Sequence, residues 1–343
     1  MHSIKLVILF LLVCLNMDAQ EIPAQFRGDW IVYKKEMKDG SRLFDRYVRE
    51  DSFLAYRFGP KSLNIGTIVS NFGGSGLPAT YKNGNIATSA VSGYDIMSIS
   101  QDTIVLTESF QNSSDDKMKR YHLVSKARLF SEHKIQNTGI DTLRGSNFFS
   151  PSLKNDLSAI VKNHISGKKG LLLKGLIRLN LDTKTSTVLV ESASPANTKN
   201  EQEILAVLNN CYQYWDVSEF TQYKVVDIPF EINCMNAASF YGFTLYFYPA
   251  AAKSNDPNQI KNMAQSGKLF LKAAEEFNKG NLDAAADLFD KAYKADPINI
   301  DALYNKASIL LGQNKSREAC ADWQILANLG QRAAIDLLAA NCR

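Results

Sequence analysis

Histidine is scarce in this chain, and the patterns that would make histidine useful are missing. Only four occur in 343 residues, at His2, His122, His133 and His164. None approaches a His-x-x-Glu-His pattern or a cysteine–histidine cluster, so the sequence offers no zinc site. No Gly-x-Ser-x-Gly elbow is present either. The glycine-rich run 73–76 lacks the Lys-Ser/Thr of a phosphate-binding loop and reads as a hairpin loop. Asp115-Asp116 lies in a polar stretch without the glycine and glutamate of a calcium loop. The expectation is a protein that is not an enzyme and carries no metal or cofactor. Charge of one sign is also lacking: 39 basic against 35 acidic residues give a net charge of +4. No basic block interleaved with aromatics appears, so nucleic acid is not an expected partner.

Long apolar runs are missing as well, which leaves no expected transmembrane segment. The one short run, 6–15, follows Lys5 and precedes Asn16-Met17-Asp18-Ala19. That is the pattern of a secretory signal peptide over 1–19, cleaved after Ala19. Acylation at Cys14 is the lesser alternative, because Val13 stands where a lipobox wants Gly, Ala or Ser. The chain is therefore expected to be exported to the periplasm or cell surface, with outer-membrane association left open. Four cysteines then remain, Cys211, Cys234, Cys320 and Cys342, and export permits them to form disulfide bonds.

At 343 residues, 45% hydrophobic and 22% charged, the chain should fold into two or three globular domains. The fold class read from it is multidomain α+β. It comprises an antiparallel β barrel or sandwich over 26–130, a small α+β domain over 150–250, a linker at 251–265 and a helical array over 266–343.

The helical array carries the clearest internal signal. A shift of 34 residues lays Leu269 on Leu303, Phe270 on Tyr304, Ala273 on Ala307, Ala285 on Ala319 and Phe289 on Trp323. Leu269, Ala273 and Phe277 mark one helix face; Ala285, Leu288, Phe289 and Ala292 mark a second. Gly280 suits a helix C-cap, and Asp296-Pro297 ends the second helix. These residues resemble the tetratricopeptide repeat (TPR) family, with two repeats over 266–331 and a capping helix over 332–341. Lys272 and Glu276 depart from the family pattern, as does the missing turn glycine of the second repeat. The resemblance implies a groove that binds a peptide or protein, with Phe270, Phe277, Tyr304, Asn305, Lys306 and Ser308 as candidate contacts. The alternative is that the array braces the rest of the chain. Antiparallel helices would bring Cys320 and Cys342 to similar heights, so a bridge between them is expected to staple the cap.

The middle segment reads as helix 152–165, strand 175–182, strand 187–192, helix 200–212 and strand 223–232. This order, with Trp215 after the helix, resembles the carboxy-terminal domain of TonB-type energy transducers. It implies a small α+β unit that contacts another protein. No membrane anchor or proline-rich spacer precedes it, so energy transduction is not carried over. Cys211 and Cys234 are either bridged through a bend near Pro229 or left as two thiols. From 26 to 130, short alternating runs are separated by turns such as Lys82-Asn83-Gly84. Gly28-Asp29-Trp30 and Lys119-Arg120-Tyr121-His122-Leu123 resemble bacterial lipocalin-like domains. Trp30 is expected to plug the barrel. The expected function is a non-enzymatic, exported protein–protein interaction adaptor of a Gram-negative envelope. It would bind through the TPR groove or the TonB-like domain. The alternative is a carrier of a small apolar ligand inside the β domain.

Overall fold

The computed structural model describes residues 20–44, 54–70, 75–165, 170–237, 240–248 and 257–342. The signal-peptide reading, Cys14, and parts of the 251–265 linker and the 73–76 loop lie outside them. Among the described residues the first element is a 3-10 turn, Ala24–Phe26, and nine strands follow. These are β1 (Gly28–Met37), β2 (Ala55–Phe58), β3 (Ser62–Gly66), β4 (Leu77–Pro78), β5 (Thr80–Lys82), β6 (Asn85–Ala87), β7 (Ser92–Ile99), β8 (Thr103–Phe110) and β9 (Lys119–Ser125). They form one antiparallel near-barrel in the order β4-β3-β2-β1-β9-β8-β7-β6-β5. The β5–β6 hairpin turns on Asn83 and Gly84, both at positive φ (50° and 82°), as a two-residue turn that matches strand twist requires.

Alternation along β1 sends Trp30 and Val32 inward, where they pack with Tyr56, Phe58, Leu106 and Tyr121 in one buried cluster. The Trp30 indole N–H donates to Phe26 O at 2.8 Å, so the ring that fills the interior leaves no buried donor unpaired. Tyr121 likewise donates its hydroxyl to Glu108 at 2.7 Å. The barrel interior is thus occupied by packed aromatic side chains.

After β9 comes a helix the sequence pattern did not reveal, α1 (Lys126–Gln136). Its periodicity is weak, but Ser125 caps it by accepting Arg128 N–H at 3.3 Å, and Phe130 anchors it edge-on against Phe149. The middle segment then holds β10 (Thr142–Arg144), β11 (Ser152–Leu153), α2 (Leu157–His164), β12 (Leu171–Asn180) and β13 (Thr185–Ser194). Next come α3 (Lys199–Leu208), β14 (Trp215–Asp216), β15 (Val225–Ala237) and β16 (Phe240–Phe247). The helix expected from residue 152 begins only at Leu157, because Asp156 caps it through Ala159 N–H, and Ser152–Leu153 pairs instead with β14. The main sheet runs β10-β15-β12-β13, with β16 added to the far part of β15.

The C-terminal block consists, among the described residues, of five helices: α4 (Pro257–Asn278), α5 (Leu282–Ala295), α6 (Ile300–Gly312), α7 (Ser316–Asn328) and α8 (Arg332–Asn341). Gly280 sits at φ 81° in the α4–α5 turn, the left-handed position a C-cap glycine supplies. Ala273, Ala285, Ala292, Ala307 and Ala319 are all fully buried. The absence of a larger side chain lets neighbouring helices approach, while Phe289 and Trp323 fill the two cores. Cys320 and Cys342 form a disulfide that ties α8 to α7. Cys211 and Cys234 are both buried and not joined. Of the two alternatives for Cys211 and Cys234, the structure has the pair of thiols, and the Cys211 sulfur accepts the Trp215 indole N–H at 3.5 Å.

Two compact units divide these residues. One lies within Met1–Lys34, Phe53–Ser113 and Tyr121–Phe247, the other within Lys35–Ser52, Ser114–Arg120 and Tyr248–Arg343. The second unit therefore joins the C-terminal helices to a turn from the N-terminal part of the chain. There Arg42 N–H donates to Gly330 O at 3.0 Å, and Gln331 Nε2 donates to Arg42 O at 3.0 Å. Ser41 Oγ accepts the Arg332 N–H at 2.9 Å and donates to Asp39 at 2.8 Å. A serine 291 positions away thus caps α8, a role that α8's own flanking residues leave open.

Two outcomes follow for stability. Cys342→Ser should lower the unfolding free energy of the helical unit by about 3 kcal/mol, the loop-closure value for a bridge of this span. Urea titration with and without reductant measures it: the wild type should lose that amount on reduction and the variant should not. Ser41→Ala should cost about 1 kcal/mol, the usual effect of losing an N-cap, in the same titration.

Candidate functional site

The six candidate groove residues all lie on α4 and α6, but they are not equivalent. Phe270 and Phe277 are seven residues apart and share one face of α4. Phe270 meets Phe289 edge-on at 5.1 Å between ring centres and belongs to the packing of the first core. Phe277 is half exposed, at 50%. On α6, Tyr304 packs against the second core, and Ser308 Oγ donates to Tyr304 O at 3.0 Å. Asn305 is exposed and donates from Nδ2 to Asp301 O at 2.8 Å.

Lys306 has a different task. Its ammonium bridges Asp290 of α5 at 2.9 Å and Asp322 of α7 at 3.1 Å. Burial works against the lysine charge, but hydrogen bonds to both carboxylates outweigh it and raise the lysine pKa. Asp322 is nearly buried, and desolvation pushes its pKa up even though Lys306 pulls it down. Asp290 keeps a lowered pKa because Lys294 and Lys306 both bond it and outweigh its partial burial. The lysine thus ties three helices together, and of the candidates on α4 and α6 Phe277, Asn305 and Ser308 are exposed while Phe270 and Tyr304 are partly buried.

The middle sheet presents a second surface. Strand β12 is paired over its length on both sides, from Leu172↔Ser194 to Asn180↔Thr185 with β13 and from Leu171↔Cys234 to Asn180↔Val225 with β15. Strand β13 ends the sheet order, so among the described residues no strand pairs with its outer edge. One edge group is occupied, since the Val188 N–H donates to Asn209 Oδ1 at 2.8 Å. Past that point Leu189 and Val190 are 41% and 44% exposed. The register shifts between Lys174 and Gly175, and a Cβ on Gly175 would collide with Leu189 O. Glycine there lets the two strands stay in contact through the irregularity. On the same sheet the Arg178 guanidinium grips Asp227 through two 2.8 Å bonds, and Lys174 pairs with Glu231 at 3.0 Å. These pairs tie β12 to β15, and β13 forms the margin of the sheet, with Leu189 and Val190 exposed on it.

The sequence pattern already marked the strand that becomes β13, but not the plug supplied by Asn209, which lies 21 residues further on. No spacing rule connects an asparagine after a helix to a strand edge. Among the described residues no group of three or more His, Cys, Asp or Glu side chains is placed to hold a metal ion. No helix among them is long and apolar enough to cross a membrane. Compared with protein-family models, the chain matches none, and the search of curated proteins likewise found no match.

The division of labour on α6 can be tested by stability. Lys306→Met removes the cation between two partly buried carboxylates and should destabilise the helical unit by about 2 kcal/mol. Asn305→Ala beside it should stay within about 0.5 kcal/mol of wild type. Chemical denaturation of both variants measures the difference.

Proposed function

We propose that this protein is a non-enzymatic, exported adaptor that docks an extended segment of another envelope protein onto the outer edge of β13, with the helical block as a second binding surface. The observation that carries the reading is the edge itself. Among the described residues this strand of ten is paired on one side only, and its apolar Leu189 and Val190 are exposed beside it. An unpaired edge is a template for a further strand, in which main-chain bonds give affinity and alternate side chains give specificity. The resemblance of this segment to the TonB carboxy-terminal domain fits a role in contacting protein. The resemblance of the helices to TPR repeats fits peptide binding, with Phe277 the most exposed aromatic of the candidate set.

Export is supported by the signal-peptide pattern and by the Cys320–Cys342 disulfide, which suits an oxidising compartment. The packed aromatic interior of the near-barrel favours partner binding over the carriage of an apolar ligand inside it.

The test is affinity capture from envelope extract with the full-length protein, Leu189→Lys/Val190→Lys and Phe277→Ala. The edge variant carries two charges at exposed positions and should fold as wild type by circular dichroism. A protein retained by wild type and lost with the edge variant is the expected outcome. Equal retention by wild type and the edge variant contradicts docking at β13, as does an absence of any specific capture by folded wild type. Loss with Phe277→Ala alone would move the site to the helices.

A further inference from the structure

Helix α8 is the shortest of the five helices in the C-terminal block. Of its ten residues only Ala334 is buried, with Leu337 and Leu338 partly buried against the cluster built on Leu303, Trp323 and Leu326. A helix of that length is marginal in water by itself, so α8 depends on what ties it down. At its start the Arg332 N–H donates to Ser41 Oγ at 2.9 Å and Gln331 Nε2 to Arg42 O at 3.0 Å. Just past its last residue, Asn341, Cys342 joins it covalently to Cys320 of α7.

The cysteines differ in access. Cys211 and Cys234 are buried, whereas Cys320 and Cys342 are only partly so. A thiolate can attack a disulfide only where it can reach a sulfur, and bridges open to solvent are the labile ones. What lies under α8 is apolar: Trp323 and Leu326 are buried to within 1%, in the cluster that Ala334 completes. The first core of the block is independent of α8. Its residues, Ala273, Ala285, Phe289, Ala292, Ala302 and Ile309 among them, all come from α4, α5 and α6.

We infer that α8 is a redox-released cap: a dithiol reductant opens the Cys320–Cys342 bridge in the folded protein, α8 comes away, and the apolar side of α7 around Trp323 and Leu326 is bared while α4 to α6 stay packed. The exchange runs in two steps. One thiolate of the reductant attacks a bridge sulfur, the S–S bond breaks, and the other cysteine leaves as a thiolate and takes a proton. The reductant's second thiol then displaces the first, so the reductant ends as a disulfide and the second cysteine as a thiol. Two electrons pass from the dithiol to the bridge. The inference stands whether or not the adaptor reading does.

The experiment is native-state amide hydrogen exchange on the full-length protein with and without dithiothreitol, with thiol alkylation to show which cysteines have been reduced. Without denaturant, Cys320 and Cys342 should become reduced and alkylated while the buried Cys211 and Cys234 stay unmodified. Amides of Arg332–Asn341 should then exchange about hundredfold faster, the loop-closure effect of a bridge of this span, with α4 and α5 unchanged. Cys320→Ser/Cys342→Ser should show the fast α8 exchange without reductant and no response to it. A bridge that dithiothreitol leaves intact in the folded protein overturns the proposal, as does α8 exchange unaltered by reduction. Equal acceleration across all five helices also overturns it, because the bridge would then brace the whole block rather than release one helix.

Discussion

Strand β12 is the member on which the first unit's second sheet depends. Its inward side chains, Leu171, Leu173, Ile177 and Leu179, are all buried to within 2%. It is also hydrogen-bonded on both sides, to β13 and to β15. Because side chains alternate with period two, any slip of one residue would turn that apolar set to the opposite face and expose it. Register is therefore fixed by burial, and Arg178–Asp227 and Lys174–Glu231 hold it on the other face. With β12 on one side, β13 has no strand on its second edge among the described residues, and Asn209 takes one of the N–H groups there.

Such an edge is a hazard for aggregation, and proteins blunt most of theirs. Here the blunting is partial. Asn209 takes one N–H, and the irregularity opposite Gly175 disturbs the strand near its middle. The remaining length carries exposed Leu189 and Val190 and one charge, Glu191, with no lysine or proline. The helical block manages its own weak point differently. Five helices form two small cores, and the last helix is held by the Cys320–Cys342 disulfide on one end. At its other end the hydrogen bond from Arg332 N–H to Ser41 holds it. Both devices hold the last helix, α8, onto the helical block.

Much of the architecture could be read from the residues because it rests on local rules. The alanines spaced 34 apart are buried, Gly280 takes the left-handed turn, and Asn83-Gly84 turns a hairpin. Other features depend on contacts between distant segments, and no periodicity announces them. Helix α1 lacks a clear apolar stripe and is stabilised by Ser125 and by Phe130 against Phe149 and Phe220. Ser152–Leu153 looks like the start of a helix but is claimed by a bridge to Trp215–Asp216. Lys306 sits among groove candidates by spacing, yet two carboxylates 16 residues away on either side decide its place.

The central claim is that β13 gains a strand when a partner binds. Amide hydrogen exchange of the full-length protein, followed across β13 and α4 with and without the captured partner, tests it most directly. The account predicts that amides within Thr185–Ser194 slow markedly in the complex, because their outward N–H groups acquire acceptors. Unchanged exchange along β13, with protection confined to α4 and α6, would contradict it.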